Sequence, residues 1–134
     1  MQLLKIYYAY FSPGNTTEKV VSHIASSFQN YPVESINLTD YATRQEDYYF
    51  KENELLIIGV PAYGGRVPAP VVDALRHFTG SNTPVVLVAT YGNRDIDDTL
   101  IELKKNVIDK GFIPVGAASF VCQHTFLKEC AEGT

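Results

Sequence analysis

Four short segments, rich in glycine, hydroxyl and aromatic side chains, are the parts of this chain that could do chemistry. Each follows an apolar run: Ser12-Pro13-Gly14-Asn15-Thr16-Thr17, Pro61-Ala62-Tyr63-Gly64-Gly65-Arg66-Val67-Pro68, Thr90-Tyr91-Gly92-Asn93-Arg94 and Cys122-Gln123-His124-Thr125. Hydroxyl and backbone N–H groups can bind an anion, glycine allows close backbone approach, and aromatic rings can stack on a planar ligand. Together these residue types favour a small-molecule site.

The first segment has the composition of a phosphate site. It supplies Ser12, Thr16 and Thr17 at the start of a predicted helix, where free N–H groups and the helix dipole favour an anion. It lacks the lysine of a P-loop, so nucleoside triphosphate hydrolysis is disfavoured. Without any basic residue it suits a phosphomonoester better than a pyrophosphate. The alternative is a plain helix cap made by Asn15 or Thr16, and the segment alone does not separate the two.

The other segments could hold a flat ring. Adjacent Gly64 and Gly65 are consistent with backbone that flips or closely approaches a flat ligand, and Tyr91 could stack on one. Either segment alone could equally be a tight turn. His124 follows the last predicted strand on the same side and is a candidate ligand contact, with plain loop structure as its alternative.

Along the chain, apolar runs typical of strands alternate with apolar residues at helical spacing, and these patterns predict the elements that carry the four segments. Strands are predicted at residues 3–11, 32–37, 55–60, 84–90 and 112–120. Helices are predicted after Asn15, from about Pro70 to Gly80 with Phe78 facing inward, and between the acidic residues 95–98 and Gly111. Residues 38–53 should form a short helix or an irregular connection, with Tyr48-Tyr49-Phe50 packed under it.

Strands separated by helices predict a three-layer α/β domain with a five-stranded parallel sheet. In such sheets ligands lie beyond the carboxyl ends of the strands, which is where the four segments fall. No convincing helix follows the fifth strand. We therefore expect residues 1–134 to be one domain that is either a piece of a longer protein or leaves a sheet face to a partner, such as a second copy in a homodimer.

Composition narrows the functional classes. Eleven Lys and Arg against fifteen Asp and Glu give a formal charge of -4, which disfavours a nucleic-acid-binding protein. No apolar run is long enough to span a membrane, and no signal peptide is recognisable. The two cysteines, Cys122 and Cys130, are too few for a disulfide framework and suggest no metal site. A soluble cytoplasmic protein is expected.

In three loops the residues resemble the flavodoxin family, and the two later loops look especially like the flavodoxin domain of bacterial flavodoxin–ferredoxin fusion proteins. The loops are Phe11 to Thr17, Pro61 to Pro68 and Ala89 to Asp95. The resemblance covers essentially the whole chain and implies strand order 2-1-3-4-5, with FMN bound between the first and third strands; flavodoxin is itself the standard example of that arrangement. The family's Thr-Gly pair reads Gly14-Asn15 here, and its final helix is short or missing.

The resemblance also implies roles for individual residues. Ser12, Asn15, Thr16 and Thr17, with Gly14 between them, would hold the FMN phosphate. One side of the flavin ring would be lined by the segment Pro61, Ala62, Tyr63, Gly64 and Gly65. The other side would be lined by Thr90, Tyr91, Gly92, Asn93 and Arg94, with Tyr91 stacking. In the family a glycine carbonyl turns toward the N5 hydrogen of reduced flavin, and Gly64 or Gly65 would supply it here.

The function this implies is electron transfer by bound FMN between redox proteins of reductase or ferredoxin type. Arg66 and Arg94 flank the ring loops and predict a less negative potential than an all-acidic site would give. The alternative is an FMN-dependent NAD(P)H or quinone reductase on the same fold. A receiver-type signalling domain is set aside, because the strand ends lack its acidic residues, and a Cys-x5-Arg phosphatase is excluded because no cysteine follows the first strand.

Overall fold

The core of the protein is a five-stranded sheet with helices on both faces, seen in a computed structural model that describes residues 2–92 and 98–121. In chain order its elements are β1 (Lys5–Tyr10), α1 (Thr16–Ala25), β2 (Val33–Asn37), α2 (Tyr41–Arg44), β3 (Tyr48–Tyr49), β4 (Glu54–Pro61), α3 (Ala69–Leu75), β5 (Phe78–Thr79), β6 (Thr83–Tyr91), α4 (Thr99–Ile108) and β7 (Phe112–Val121). Among these described residues, no helix has the length and apolar character needed to cross a membrane.

The main sheet has the strand order β2-β1-β4-β6-β7, and each of its pairings is parallel. Counting only these five strands, this is the predicted order 2-1-3-4-5, so the fold prediction is confirmed. Because the strands are parallel, β1, β4 and β6 all end at the same edge, where Pro61 lies opposite Thr90. The loops that follow these strands are thereby brought together.

The central strand β4 is buried on both sides, as its uninterrupted apolar sequence predicts. Leu55 and Ile57 pack with α1 on one face. Leu56, Ile58 and Val60 pack on the opposite face, in a core that also contains buried residues of α3 and α4. Since side chains alternate along a strand, the single run Leu55 to Val60 supplies both cores.

The helix predicted to run from Pro70 to Gly80 is shorter than expected. It begins at Ala69, with proline in its first turn as anticipated, and ends at Leu75. Phe78 is buried, as predicted, but it lies in β5 rather than in a helix. That two-residue strand pairs with β3, and the resulting second sheet was not predicted.

The connection after β2 contains one turn of helix, α2, and then β3, in agreement with a short helix in an irregular segment. Phe50 packs among the rings of Tyr7, Phe78 and Phe112, and Tyr48 packs on Phe78. Tyr49 departs from the prediction because it is largely exposed. Two predictions concern residues outside the described ranges: the start of a helix at residues 95–97, and a short or missing final helix after β7.

Candidate functional site

The loops after β1, β4 and β6 line one cleft of about 240 Å³ at the carboxyl edge of the sheet. Its described lining consists of Ser12, Pro13, Gly14, Thr16, Thr17, Pro61, Ala62, Tyr63, Thr90, Tyr91 and Gly92. None of these described lining residues carries a charge. The volume lies just below the range of about 300–1,000 Å³ that is usual for small-molecule pockets. Hydroxyl-bearing residues from the start of α1 and two tyrosines from the other loops thus line the same cleft.

Ser12 organises the loop that opens α1. Its Oγ accepts a hydrogen bond from the backbone N–H of Glu18 at 2.9 Å, in the first turn of the helix. Its own N–H donates to Oγ1 of Thr39, beyond β2, at 2.8 Å. Asn15 occupies the N-cap position in a left-handed conformation with φ 68°, and its side chain makes no capping bond. The cap expected from Asn15 or Thr16 is thus made by Ser12 instead.

The capping bond leaves Ser12 able to contact a ligand. A serine hydroxyl has one donor and two acceptor positions, and the bond from Glu18 uses only an acceptor. Ser12 is only 4% exposed and is one of the residues that line the cleft. Its hydroxyl hydrogen can therefore be donated to an anion lying against the first turn of α1, where backbone N–H groups have no partner within the helix.

Thr17 and Thr90 join the two ends of the cleft. Their Oγ1 atoms lie 2.8 Å apart, and both residues are almost fully buried. The backbone oxygen of Thr90 also accepts the N–H of Ala62 at 2.8 Å. Thr17, predicted to bind phosphate through its hydroxyl, already uses that hydroxyl toward Thr90. This contact fixes the start of α1 against the end of β6.

The loop after β4 is a tight two-residue hairpin. Tyr63 and Arg66 exchange both backbone hydrogen bonds, at 2.9 and 3.0 Å. Between them Gly64 and Gly65 have φ values of 58° and 79°, and a type I′ turn requires positive φ at both positions. The adjacent glycines are therefore explained by the turn itself. They are not among the described residues that line the cleft, although no atom lies within 4 Å of a Cβ placed on Gly64.

Two aromatic side chains border the cleft from the hairpin and from β6. Tyr63 is 50% exposed, and its ring meets the ring of Phe11 edge-on at a centroid distance of 6.2 Å. Tyr91 ends β6 and also lines the cleft. A half-exposed ring held by a buried one offers a flat surface at little cost in side-chain freedom.

The hairpin is tied to α4 by a carboxylate. Glu102 accepts from the Arg66 guanidinium, with Nε to Oε1 at 3.0 Å and Nη2 to Oε2 at 3.4 Å, and from the Val67 N–H at 3.1 Å. The hydrogen bonds from Arg66 and Val67 lower the pKa of Glu102, and the bond to Glu102 raises the pKa of Arg66. The positive charge of Arg66 is therefore offset locally, which weakens the predicted effect of this arginine on a flavin potential.

A tyrosine next to the first loop is also electrostatically perturbed. Burial raises the pKa of Tyr10 to about 12, and the nearby carboxylate of Glu18 adds to the rise. Tyr10 is the last residue of β1 and stacks against Tyr8 at a centroid distance of 6.0 Å. Its phenol therefore stays protonated at any physiological pH.

Several predicted site residues lie outside the described residues, namely Asn93, Arg94 and His124. In the other direction, sequence reasoning missed Thr39 and Glu102. Thr39 follows β2, and applying the strand-end rule to the second strand would have found it. Glu102 has no such signal, because it meets the hairpin only once α4 has packed.

Comparison with known proteins supports the fold assignment through structural similarity. No family model matches the chain, and no curated protein matches it in sequence. A flavodoxin from the domain Archaea is similar in structure, with a TM-score of 0.64, 15% identity, and coverage of 96% of this chain and 92% of that one. The two-electron reduced flavodoxin of Megasphaera elsdenii is also similar in structure, with a TM-score of 0.63, 20% identity, and coverage of 95% of this chain and 96% of that one.

A third similar structure is a larger protein. For the flavodiiron core from Synechocystis the TM-score is 0.61 at 19% identity, with coverage of 98% of this chain and 34% of that one. At these identities the likeness establishes the fold and leaves function to be argued from the site.

Proposed function

We propose that this protein binds FMN in the cleft and transfers electrons between redox proteins. The observation that carries the proposal is the cleft itself, in which hydroxyl-bearing residues at the start of α1 and two tyrosine-bearing loops meet at the carboxyl edge of a flavodoxin-like sheet. Flavodoxins are among the proteins of similar fold. The resemblance of the three loop sequences to the flavodoxin family points the same way.

The donors at the start of α1 fit a phosphomonoester. Ser12 and Thr16, which both carry a hydroxyl, line the cleft, and the first-turn N–H groups and the helix dipole favour an anion. With no charged side chain among the described lining residues, a single phosphate suits the site better than a pyrophosphate. Gly14 has open space around it, so nothing there obstructs close approach of a phosphate to the backbone.

The tyrosine end fits a flat, mostly apolar ring. Tyr63 would cover one side and Tyr91 the other, with the Gly64–Gly65 hairpin at the ring edge. FMN, when bound, supplies the electron-accepting chemistry. The residues of this chain bind its phosphate, orient its ring and restrict water around it. Asn93, Arg94 and His124 remain proposed contacts to the same ligand.

Proteins of reductase or ferredoxin type are the proposed electron donors and acceptors. The alternative function, an FMN-dependent NAD(P)H or quinone reductase, would use the same cleft with a second substrate. Steady-state oxidation of NAD(P)H by the FMN-loaded protein separates the two functions. An electron carrier shows no turnover without an added reductase, whereas a reductase turns over alone.

Ligand discrimination tests the phosphate part of the proposal. Titration followed by quenching of flavin fluorescence should give a dissociation constant for FMN at least about tenfold below that for riboflavin, because riboflavin lacks the phosphate that accepts charge-assisted hydrogen bonds. Thr16→Val should weaken FMN binding and leave riboflavin binding unchanged. Equal affinity for the two flavins in the unmodified protein would refute a phosphate site at α1.

A further inference from the structure

Among the described residues, one carboxylate holds the hairpin 63–66 from outside the cleft, that of Glu102 on α4. We infer that Glu102 is a positioning residue, which fixes the Gly64–Gly65 turn and through it sets the redox potential of a flavin bound beside the hairpin. The second half of this inference rests on the proposed function. Neither the strand-end loops nor the predicted phosphate and ring contacts include Glu102.

The contacts of Glu102 act on the residues that leave the turn. Its two carboxylate oxygens receive the forked guanidinium of Arg66, and Oε1 also receives the N–H of Val67. Two consecutive residues are thus held by one side chain, one through its guanidinium and the next through its backbone. The Arg66 side chain is itself 70% exposed, so few other contacts compensate for the loss of Glu102.

The residues that enter the turn are held separately. Ala62 donates its N–H to Thr90, and the ring of Tyr63 rests on Phe11. With both ends held, the conformational freedom of the hairpin is concentrated in its two glycines. Tyr63, the first residue of this turn, lines the cleft, so a change in the conformation of the turn alters what the hairpin presents to a ligand beside it.

Glu102 also links the two walls of the cleft. It lies in the first turn of α4, the helix that follows β6 and its Tyr91. The hairpin comes from the other wall, after β4. The ion pair between Arg66 and Glu102 therefore holds the hairpin to α4. Its loss should loosen the hairpin without unfolding the sheet.

Variants with and without a change in net charge separate the effect of holding the hairpin in place from the effect of the Arg66 charge. Glu102→Gln removes the ion pair and leaves the Arg66 charge unbalanced, whereas the double variant Glu102→Gln, Arg66→Gln removes the pair with no change in net charge. Lys5→Gln combined with Glu34→Gln is the matched control, because it also removes an exposed ion pair, at 2.7 Å, with no change in net charge, at the start of β1 and thus at the opposite edge.

The first measurement uses the protein without flavin. Hydrogen exchange of the Arg66 and Val67 amides should be about 3- to 10-fold faster in the double variant, because a charge-assisted contact that closes the hairpin is lost. The control should leave both rates unchanged. Unchanged exchange in a double variant that keeps its far-ultraviolet circular dichroism would overturn the positioning role.

The second measurement is the midpoint potential of bound FMN. The double variant should have a higher potential than the unmodified protein, because a loosened hairpin rearranges more easily on reduction, and Glu102→Gln alone should be higher still, since it adds an unbalanced positive charge. A double variant with the potential of the control would overturn the link to the flavin. If the unmodified protein binds no FMN, the proposed function fails, and the exchange rates alone decide whether Glu102 fixes the hairpin.

Discussion

At the scale of single residues, Ser12 has a structural role as well as its proposed role toward a ligand. Its buried hydroxyl satisfies the N–H of Glu18, and its backbone N–H is satisfied by Thr39. Such a residue cannot be replaced without leaving a first-turn donor of α1 unpaired, because Asn15 makes no capping bond. Loss of ligand binding in a Ser12 variant must therefore be interpreted together with its stability.

Ser12→Ala should lower the free energy of unfolding by about 0.5–2 kcal/mol, the usual cost of removing a helix cap. Urea denaturation of the flavin-free protein measures this. Ser22→Ala is the control, since the Ser22 hydroxyl donates to the Lys19 carbonyl on the helix surface, and it should change stability by less than about 0.5 kcal/mol. Equal stability of the two variants would show that the Ser12 cap is energetically unimportant.

Tyr10 makes the stability of the fold sensitive to alkaline pH. Its pKa rises from the ordinary 10.0 to about 12 in the folded protein through burial and the nearby Glu18 carboxylate. The unfolded chain loses this proton first, so stability contributed by Tyr10 is complete below pH 10 and is lost between pH 10 and about 12.

The measurement is urea denaturation as a function of pH in the unmodified protein and in Tyr10→Phe. We expect the stability of the unmodified protein to fall more steeply above pH 10 than that of the variant. Parallel pH profiles would contradict the raised pKa.

At the scale of elements, one glycine sets how closely α1 approaches the sheet. A Cβ on Gly59 of β4 would overlap Cγ2 of Val21 and would come within 3.1 Å of Cγ2 of Thr17. Because Thr17 belongs to the first turn of α1 and contacts Thr90 at 2.8 Å, the spacing of helix and sheet also fixes the interior of the cleft. Gly59 thus connects the packing of α1 to the geometry of the site.

Gly59→Ala should destabilise the fold by about 1–3 kcal/mol, the usual cost of overpacking a core. The same change at Gly116 in β7 is the control, since a Cβ there would lie 3.8 Å from Val86, an ordinary contact. Thermal or urea unfolding compares the two variants. A Gly59 variant as stable as the Gly116 variant would mean that α1 does not require this close approach.

The second sheet shows what an apolar pattern does and does not specify. Val71, Leu75 and Phe78 recur at helical spacing, which predicts a helix through Phe78. The chain instead leaves the helix after Leu75, and Phe78 is buried next to Tyr48 and Phe50. Burial was predictable from residue type, whereas a pairing of two two-residue strands is too short to leave a periodic signal.

At the scale of the whole molecule, the architecture follows from sequence patterns because those patterns are long. The run from Leu55 to Val60 and the helical stripe beginning at Val20 each mark an element, and right-handed crossovers then leave few topologies. The positions of the loops that line the cleft follow from the strand order. Contacts inside the site cannot be predicted in this way. Thr17 and Thr90 are 73 positions apart in the sequence, and Arg66 and Glu102 are 36 positions apart, so each pair comes together only after packing.

Binding of FMN in this cleft is tested most directly by the absorption spectrum of the protein after it is mixed with excess FMN and desalted. We predict that flavin absorption bands elute with the protein and that flavin fluorescence is quenched, because the proposed site would hold the phosphate at α1 and the ring between Tyr63 and Tyr91. A desalted protein with no flavin bands, and no quenching before desalting, would contradict FMN binding in this cleft.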